Sequence, residues 1–361
     1  ILALLRETED LARALDDPWR LGRVFSFMAQ YFRLIGQLDR SVELAERTLA
    51  LADRLGEAPL WVIANTLLGI AYDARGEYHR AIDILKKSVE SLPGMSLGHD
   101  LRVAGLMPVF SRIHLVYCLA ELGEFREGLG YGEEGIRLAE TADDAYSLIF
   151  ASCGLGTLYL LKGDVGPAIA TLERALSLCR TLNLPIALPL IAGPLGAAYA
   201  LAGRTADAIA LLEEGDREGL GMGRLGGHSL IVARLGDAYL LAGRLEEAAA
   251  AARRALQMAR ETGERGHEAY ALRLLGEVAA AGAPEDPGAV DAAFAEAAAL
   301  AEALAMRPLL AHCLVGRARG ERRAGRIEQA ARHLEDGLAA YRALAMPFWL
   351  DRVETETRSL A

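Results

Sequence analysis

The stretch Pro194–Leu212, PLGAAYALAGRTADAIALL, recurs along the chain, as LLGIAYDARGEYHRAIDIL from Leu67, GLGTLYLLKGDVGPAIATL from Gly154 and RLGDAYLLAGRLEEAAAAA from Arg234. In each copy a glycine (Gly69, Gly156, Gly196, Gly236) is followed after three residues by a tyrosine. Seven residues after it comes a second glycine (Gly76, Gly163, Gly203, Gly243), and twelve after it an alanine (Ala81, Ala168, Ala208, Ala248). Self-similarity at a fixed spacing marks a repeat architecture. Weaker copies place their second glycine at Gly36, Gly123 and Gly325, and a degenerate one runs from Leu274 to Gly282, making eight. Most steps are 40 residues; the step from Gly76 to Gly123 is 47, where SLPGMSLGHDL is inserted.

Each unit reads as two helices around the second glycine, with apolar residues such as Ala168, Ile169, Leu172 and Leu176 at helical spacing. The fold class is therefore all-α. Glycine inside a helix costs about 0.5–1 kcal/mol relative to alanine, so its return at the first position needs a compensation. The spacing to alanine predicts one: two helices packed backbone to backbone, where a larger residue would overpack. No unit can bury its faces alone, so the stack is expected to share one elongated core.

Leu-Gly-x-x-Tyr, then Gly, Ala and Ala-Leu in this order resembles the tetratricopeptide repeat (TPR) over about residues 20–345. The resemblance implies a right-handed superhelix. The long period is similar to that of TPR variants in bacterial signal-transduction ATPases and the maltose-regulon activator family. GERGHEAYALRLLGEVAA, ALAMRPLLAHCLVGRARGERRAGRIEQAARHL and YRALAMPFW resemble the C-terminal TPR region of bacterial proteins that join a nucleotide cyclase, a P-loop ATPase and TPRs. The expected organisation is an incomplete N-terminal repeat over 1–17, the array over 18–345 and a capping helix over 346–361 that carries Phe348, Leu350 and Val353 on its apolar side. The chain begins at Ile1 within helical sequence, which reads as a piece of a longer protein whose uncapped apolar N-terminal end invites self-association.

The resemblance also implies which side chains face the concave groove. Carried over copy by copy, these are Ile63, Thr66 and Ile70; Phe110, Ile113 and Tyr117; Phe150, Cys153 and Thr157; and Leu190, Gly193 and Ala197. Towards the ends they are Arg23, Ser26 and Gln30, then Tyr270, Arg273 and Glu277, then His312, Val315 and Arg319. Such a groove, mainly apolar in the middle and charged at its ends, suits an apolar peptide or partner helix. The same residues would equally serve to face a neighbouring coil of the superhelix. Pro108, Pro189 and Pro194 should shorten or kink their helices and widen the groove locally.

Bulk composition narrows the partners. With 39 basic against 49 acidic residues the net charge is −10, which disfavours a grip on nucleic acid phosphates. Only Lys86, Lys87 and Lys162 are lysines and none follows a glycine, so a P-loop has nowhere to lie. Cys118, Cys153, Cys179 and Cys313 are widely spaced among apolar neighbours, which suits a reducing cytoplasm. The uncharged run Thr181–Gly203 is long enough to span a bilayer, yet it falls in register with the repeat and is read as array, not membrane.

Motifs of chemistry fail on context. Gly221–Gly226 spells G-x-G-x-x-G, but an amphipathic helix precedes it where dinucleotide binding needs a strand; the glycine-dense stretch Gly219–Gly227 reads instead as a flexible joint between repeats. Gly130–Gly135 repeats the motif within a second helix, with two acids that would repel a pyrophosphate, and reads as tight helix packing. Gly94–Gly98 matches the nucleophile elbow around Ser96, followed by His99 and Asp100, but neighbours on one loop cannot form a relay. The seven histidines show no helical ligand pair, so no metal and no cofactor is expected. The sequence thus predicts a non-enzymatic interaction or sensor region of a signalling protein. The alternatives are a small-molecule sensor and, more remotely, a hydrolase using Ser96.

Overall fold

Gly36, Gly76, Gly123, Gly163, Gly203, Gly243 and Gly325 all take positive φ, ending the first helix of each pair in the left-handed region. After Gly163 (φ 95°) the turn is locked by the Asp164 N–H donating to the Tyr159 carbonyl at 2.8 Å. Equivalent bonds run from Arg204 to Tyr199 and from Arg244 to Tyr239, both 2.9 Å. Gly282 differs: it ends its helix in extended backbone, φ −66° and ψ 168°.

The computed structural model describes residues 1–91, 101–282 and 287–359. Among these, eighteen α-helices and one 3-10 turn form, and no strand. Helix α1 (Leu2–Ala14) precedes eight pairs: α2 (Pro18–Leu34) with α3 (Leu38–Leu55), α4 (Ala58–Arg75) with α5 (Tyr78–Ser91), α6 (Leu101–Leu122) with α7 (Phe125–Thr141), and α8 (Ala145–Lys162) with α9 (Val165–Thr181). There follow α10 (Leu188–Leu201) with α11 (Thr205–Gly221), α12 (His228–Leu241) with α13 (Leu245–Thr262), α14 (Arg265–Ala281) with α15 (Pro287–Ala303), and α16 (Arg307–Arg323) with α17 (Ile327–Ala343). Helix α18 (Pro347–Ser359) comes last.

The prolines act unequally. The 3-10 turn Pro185–Ala187 replaces the start of α10, leaving 14 residues against 18 in α8, whereas α6 runs through Pro108 for 22 residues. The uncharged Thr181–Gly203 run is thus a helix end, a 3-10 turn and a short helix whose Ile191 and Leu195 are buried in the array. One described helix, α8, is long and apolar enough to cross a membrane; Ile149, Cys153 and Leu158 on it are buried against its neighbours.

The repeated glycine is filled differently from the sequence expectation. Ala81, Ala168, Ala208 and Ala248 are fully buried, but in the first three copies the alanine is not what the glycine faces, and only a Cβ on Gly236 would also approach the Ala248 carbonyl, at 3.5 Å. A Cβ on Gly69, Gly156 or Gly196 would run into Leu85, Leu172 or Leu212, a leucine further along the second helix; at Gly156 it would lie 2.5 Å from the Leu172 Cγ. The glycine is a socket for a large side chain and not a backbone-to-backbone contact. Gly236 has no such leucine and takes Leu274 from the next pair, while Phe294 fills the sockets of both Gly276 and Gly316.

In three of the four clearest copies the tyrosine after the socket ties consecutive pairs together. Tyr199 and Tyr239 donate to Glu173 and Glu213 of the preceding second helix, each at 2.8 Å, and Tyr72 reaches Glu46 at 3.4 Å. Arg80, Arg204 and Arg244 lie over the same three rings at 3.9, 3.8 and 4.4 Å, a cation–π arrangement.

The superhelix also touches itself. Leu225 and Gly226, between α11 and α12, both donate their N–H to the Leu34 carbonyl at the end of α2, each at 2.9 Å. Tyr78 at the start of α5 meets the Met306 sulfur at 3.9 Å, Tyr270 on α14 donates to Glu121 on α6 at 2.9 Å, and the Arg307 Nε donates to the Leu122 carbonyl at 2.5 Å. Gly163 abuts Phe348 and Trp349 of α18. The early pairs therefore pack against the late ones along a seam. At the other end Ile1, Leu4, Leu11 and Leu15 leave an exposed apolar face around α1.

Candidate functional site: a chamber inside the closed coil

Closure of the seam leaves space on the inner side of the first helices. Two cavities, of about 170 and 250 Å³, have Arg234 of α12 in both walls. The smaller is bounded by α2, α4, the start of α5, α6, α8, α10, α12 and α14 together with the segment Arg224–Gly227, the larger by α8, α10, α12, α14, α16, α17 and α18.

The inner row of the sequence reading divides. Ile70, Tyr117, Thr157, Leu190 and Gly193 line the smaller cavity, and Ala197, Tyr270, Arg273, Glu277, His312, Val315 and Arg319 the larger. Ile63, Thr66, Phe110, Ile113, Cys153, Phe150, Arg23, Ser26 and Gln30 line neither. Thr66 is fully buried and shares a 2.8 Å hydrogen bond with Ser111; Ile113 packs with Val109 and Ala151; Phe110, Phe150 and Tyr146 form an aromatic cluster; Arg23 stacks over Trp19 and Phe27. Of α4, α6 and α8 only the later turns reach the cavities, whereas α10, α14 and α16 present early positions as well, among them Leu190, Tyr270 and His312.

The lining therefore extends one turn beyond the predicted row, to Asp73, Glu121, Leu160, Leu161, Leu240 and Leu241. Counting one further turn from each packing position, a glycine in α4, α8 and α12 and Val116 in α6, would have found these. Arg33, Arg224, Glu264, His267 and Trp349 come from helix ends, a connector and α18, and only closure of the coil brings them in. The chamber's middle is accordingly charged as well as apolar, and the reading of a mainly apolar middle was incomplete.

These charges sit in defined networks. Glu264, almost fully buried, accepts from the Gly227 N–H at 2.6 Å, the Ser229 hydroxyl at 2.7 Å and the Thr262 hydroxyl at 3.0 Å, and pairs with His267 at 3.2 Å. Burial alone would raise its pKa, but His267, Ser229 and Gly227 overcome this and hold it near 2. Glu121 is the opposite case: burial lifts it to about 7 despite the Tyr270 hydrogen bond. Burial, with Arg273, Arg319 and Arg352 nearby, lowers His312 to about 3, so it is neutral at pH 7 beside the Tyr341 hydroxyl at 2.6 Å.

Ser229, His267 and Glu264 include the residue types of a nucleophilic relay but not its geometry. Ser229 and Glu264 both meet the same ring nitrogen, Nδ1 of His267, and Ser229 is buried with its proton committed to Glu264. Among the described residues no group of three or more His, Cys, Asp or Glu is placed to hold a metal. Ser96, His99 and Asp100 lie outside the described residues.

The glycine-dense Gly219–Gly227 stretch is tied down, unlike the joint expected from sequence. Gly219 and Gly221 are the last turn of α11, Leu225 and Gly226 bond to Leu34, and Gly227 bonds to Glu264. Gly130–Gly135 lies within α7, where Gly132 receives Leu155.

Comparison with known proteins agrees with this architecture. The tetratricopeptide repeat family model matches residues 151–181 and 231–262. No curated protein matches the sequence. Among solved structures the chain is similar to a Rap protein complexed with competence and sporulation factor, with TM-score 0.72 and 13% identity, covering 94% of this chain and 92% of that one. It is also similar to the Rap conjugation gene regulator of the plasmid pLS20 in complex with the Phr* peptide, with TM-score 0.64 and 14% identity, covering 95% of each. A signal transduction ATPase with numerous domains from Pyrococcus horikoshii, which has a tetratricopeptide repeat sensor, matches with TM-score 0.50 and 14% identity over 96% of this chain and 53% of that chain.

Proposed function

We propose that this chain, which carries tetratricopeptide repeats, is a non-catalytic sensor region that takes a short peptide or the end of a partner segment into its central chamber. The observation that carries the reading is the chamber itself: two cavities meeting at Arg234, walled by the first helices of successive pairs and by α18. A ligand there would touch early and late pairs at once, and its binding energy would bias how tightly the coil closes. The similar fold of the Rap conjugation gene regulator is in complex with the Phr* peptide, which favours a peptide over a flat protein surface. The output would pass to an attached ATPase or cyclase part of a longer bacterial, cytoplasmic protein; the four buried, unpaired cysteines are compatible with a reducing compartment. The exposed face of α1 supports self-association as a further property.

Chamber-filling variants test the reading. Leu190→Trp and Ala197→Trp each place an indole in one cavity and should abolish binding of a pooled pentapeptide library, measured by calorimetry, while circular dichroism stays helical. Unchanged peptide binding in both would sink it. A small-molecule sensor is the second reading, favoured by the modest cavity volumes; stabilisation by a metabolite panel but not by peptides would select it.

A further inference from the structure

Three guanidinium groups face the smaller cavity, none of them paired with a carboxylate among the described residues. Arg33 comes from the last turn of α2, Arg224 from the connector before α12, and Arg234 from α12. Among the described residues none of the three has a carboxylate within ion-pair distance. Among the described residues the Arg33 Nε, which is buried, has no hydrogen-bond partner, and Arg224 bonds to the Gly226 carbonyl alone, at 3.4 Å.

The acids of the same cavity are engaged elsewhere. Asp73 holds His114 at 2.7 Å, Glu264 is saturated by Gly227, Ser229, Thr262 and His267, and Glu121 accepts from Tyr270. An arginine cannot relieve its desolvation by losing a proton at neutral pH. An unpaired guanidinium within protein is costly until an anion meets it. Burial and the neighbouring Arg224 depress even Arg33, to about 10. All three side chains are half-buried, so the fold gathers three donors around one partly covered space, which a purely structural role does not explain.

We propose that Arg33, Arg224 and Arg234 form an anion site that receives the C-terminal carboxylate of a short peptide ligand. The assignment rests on the chamber reading above and adds the ligand's chemistry and direction. Arginine's planar fork matches a carboxylate. Arg234 belongs to both cavities, so a peptide anchored here extends into the larger one, where Leu160, Leu161, Leu240 and Leu241 receive apolar side chains. A free phosphate would satisfy the same donors, and the test separates the two sources.

Thermal melting of the whole chain is followed with two pooled pentapeptide libraries, one with free C-terminal carboxylates and one amidated, and with inorganic phosphate against chloride at equal ionic strength. The proteins compared are the wild type, Arg33→Gln/Arg234→Gln, Arg224→Gln and the surface control Arg342→Gln. The acid pool should raise the wild-type midpoint by several degrees and the amide pool should not. Phosphate should compete with the acid pool. Arg224→Gln should weaken phosphate about tenfold, the loss of one charge-assisted contact. The double variant should lose both responses while its unliganded midpoint stays equal to or above wild type, because the uncompensated charges are gone.

Stabilisation by phosphate with none from the acid pool supports the anion site but overturns its assignment to a peptide terminus, and the peptide reading with it. Equal stabilisation by both pools, kept in the double variant, overturns the anion site and leaves the chamber reading standing. A lowered unliganded midpoint in both arginine variants, with the control unchanged, shows that the arginines hold the fold and overturns the proposal.

Discussion

The backbone N–H of Gly226 donates to the carbonyl of Leu34 at 2.9 Å, joining the connector before the sixth helix pair to the end of the first helix of the first pair. A side chain at Gly226 would drive into the carbonyl of Arg33. Its φ is not in the left-handed region, so Gly226→Ala tests contact and not backbone strain. The variant should lose about 1–3 kcal/mol and expand in small-angle scattering with helix content unchanged. An unaltered radius of gyration would show that the seam does not hold the coil closed.

The leucine sockets predict a rescue. Gly196→Ala should cost about 1–3 kcal/mol by overlap with Leu212, and Leu212→Ala about 2–5 kcal/mol by leaving a cavity at a fully buried site. Residues in contact do not add, so the double variant should fall well short of the sum in urea unfolding. Strict additivity would refute the socket.

Glu121 should make the protein weaker as pH rises. Its folded pKa of about 7 lies above the ordinary carboxylate value of 4.5, so the folded state binds the proton more tightly than the unfolded state. The contribution is complete below pH 4.5 and is lost as pH climbs through 7, about 3 kcal/mol at most. Glu121→Gln should flatten the midpoint-against-pH curve between those values and stabilise the protein at pH 8. A curve of wild-type slope would rule Glu121 out as the source.

Glu264 acts in the opposite sense. Held near 2, its contribution is present above pH 4.5 and disappears as the pH falls through 2. Glu264→Ala leaves the Gly227 N–H and the Ser229 hydroxyl without their acceptor, which should cost about 1–3 kcal/mol for each group left unpaired at pH 7. The difference from wild type should shrink in acid. A difference that is constant down to pH 2 would mean the carboxylate's charge is not what matters.

The repeat was legible because its marks are local. A glycine that ends a helix, a tyrosine three residues after another glycine and an alanine twelve after it all lie within one unit, and each has a conformational or packing reason. The inner row one residue after the packing position was legible for the same reason: Ile70, Tyr117 and Thr157 line the chamber. Phe150 was not, because the early turn of α8 is covered by Phe110 and Tyr146. The arginines of the site escaped notice because Arg33 and Arg224 lie far apart in sequence, at the end of α2 and in a connector, and meet only when the coil closes on itself. Periodicity within a unit carries no signal about a contact between the first pair and the sixth.

That closure changes how the array must assemble. A stack held only by neighbours can fray from either end, one unit at a time, with the remainder intact. Here the bonds of Leu225 and Gly226 to Leu34 cannot form until the chain as far as α12 is in place, so loop-closure entropy makes them late events in folding. The same bonds make early and late units hostages to each other. A polypeptide cut short after α10 would lack Leu225, Gly226 and the walls supplied by α12 to α18, and recognition would be a property of the completed circuit and not of any one repeat.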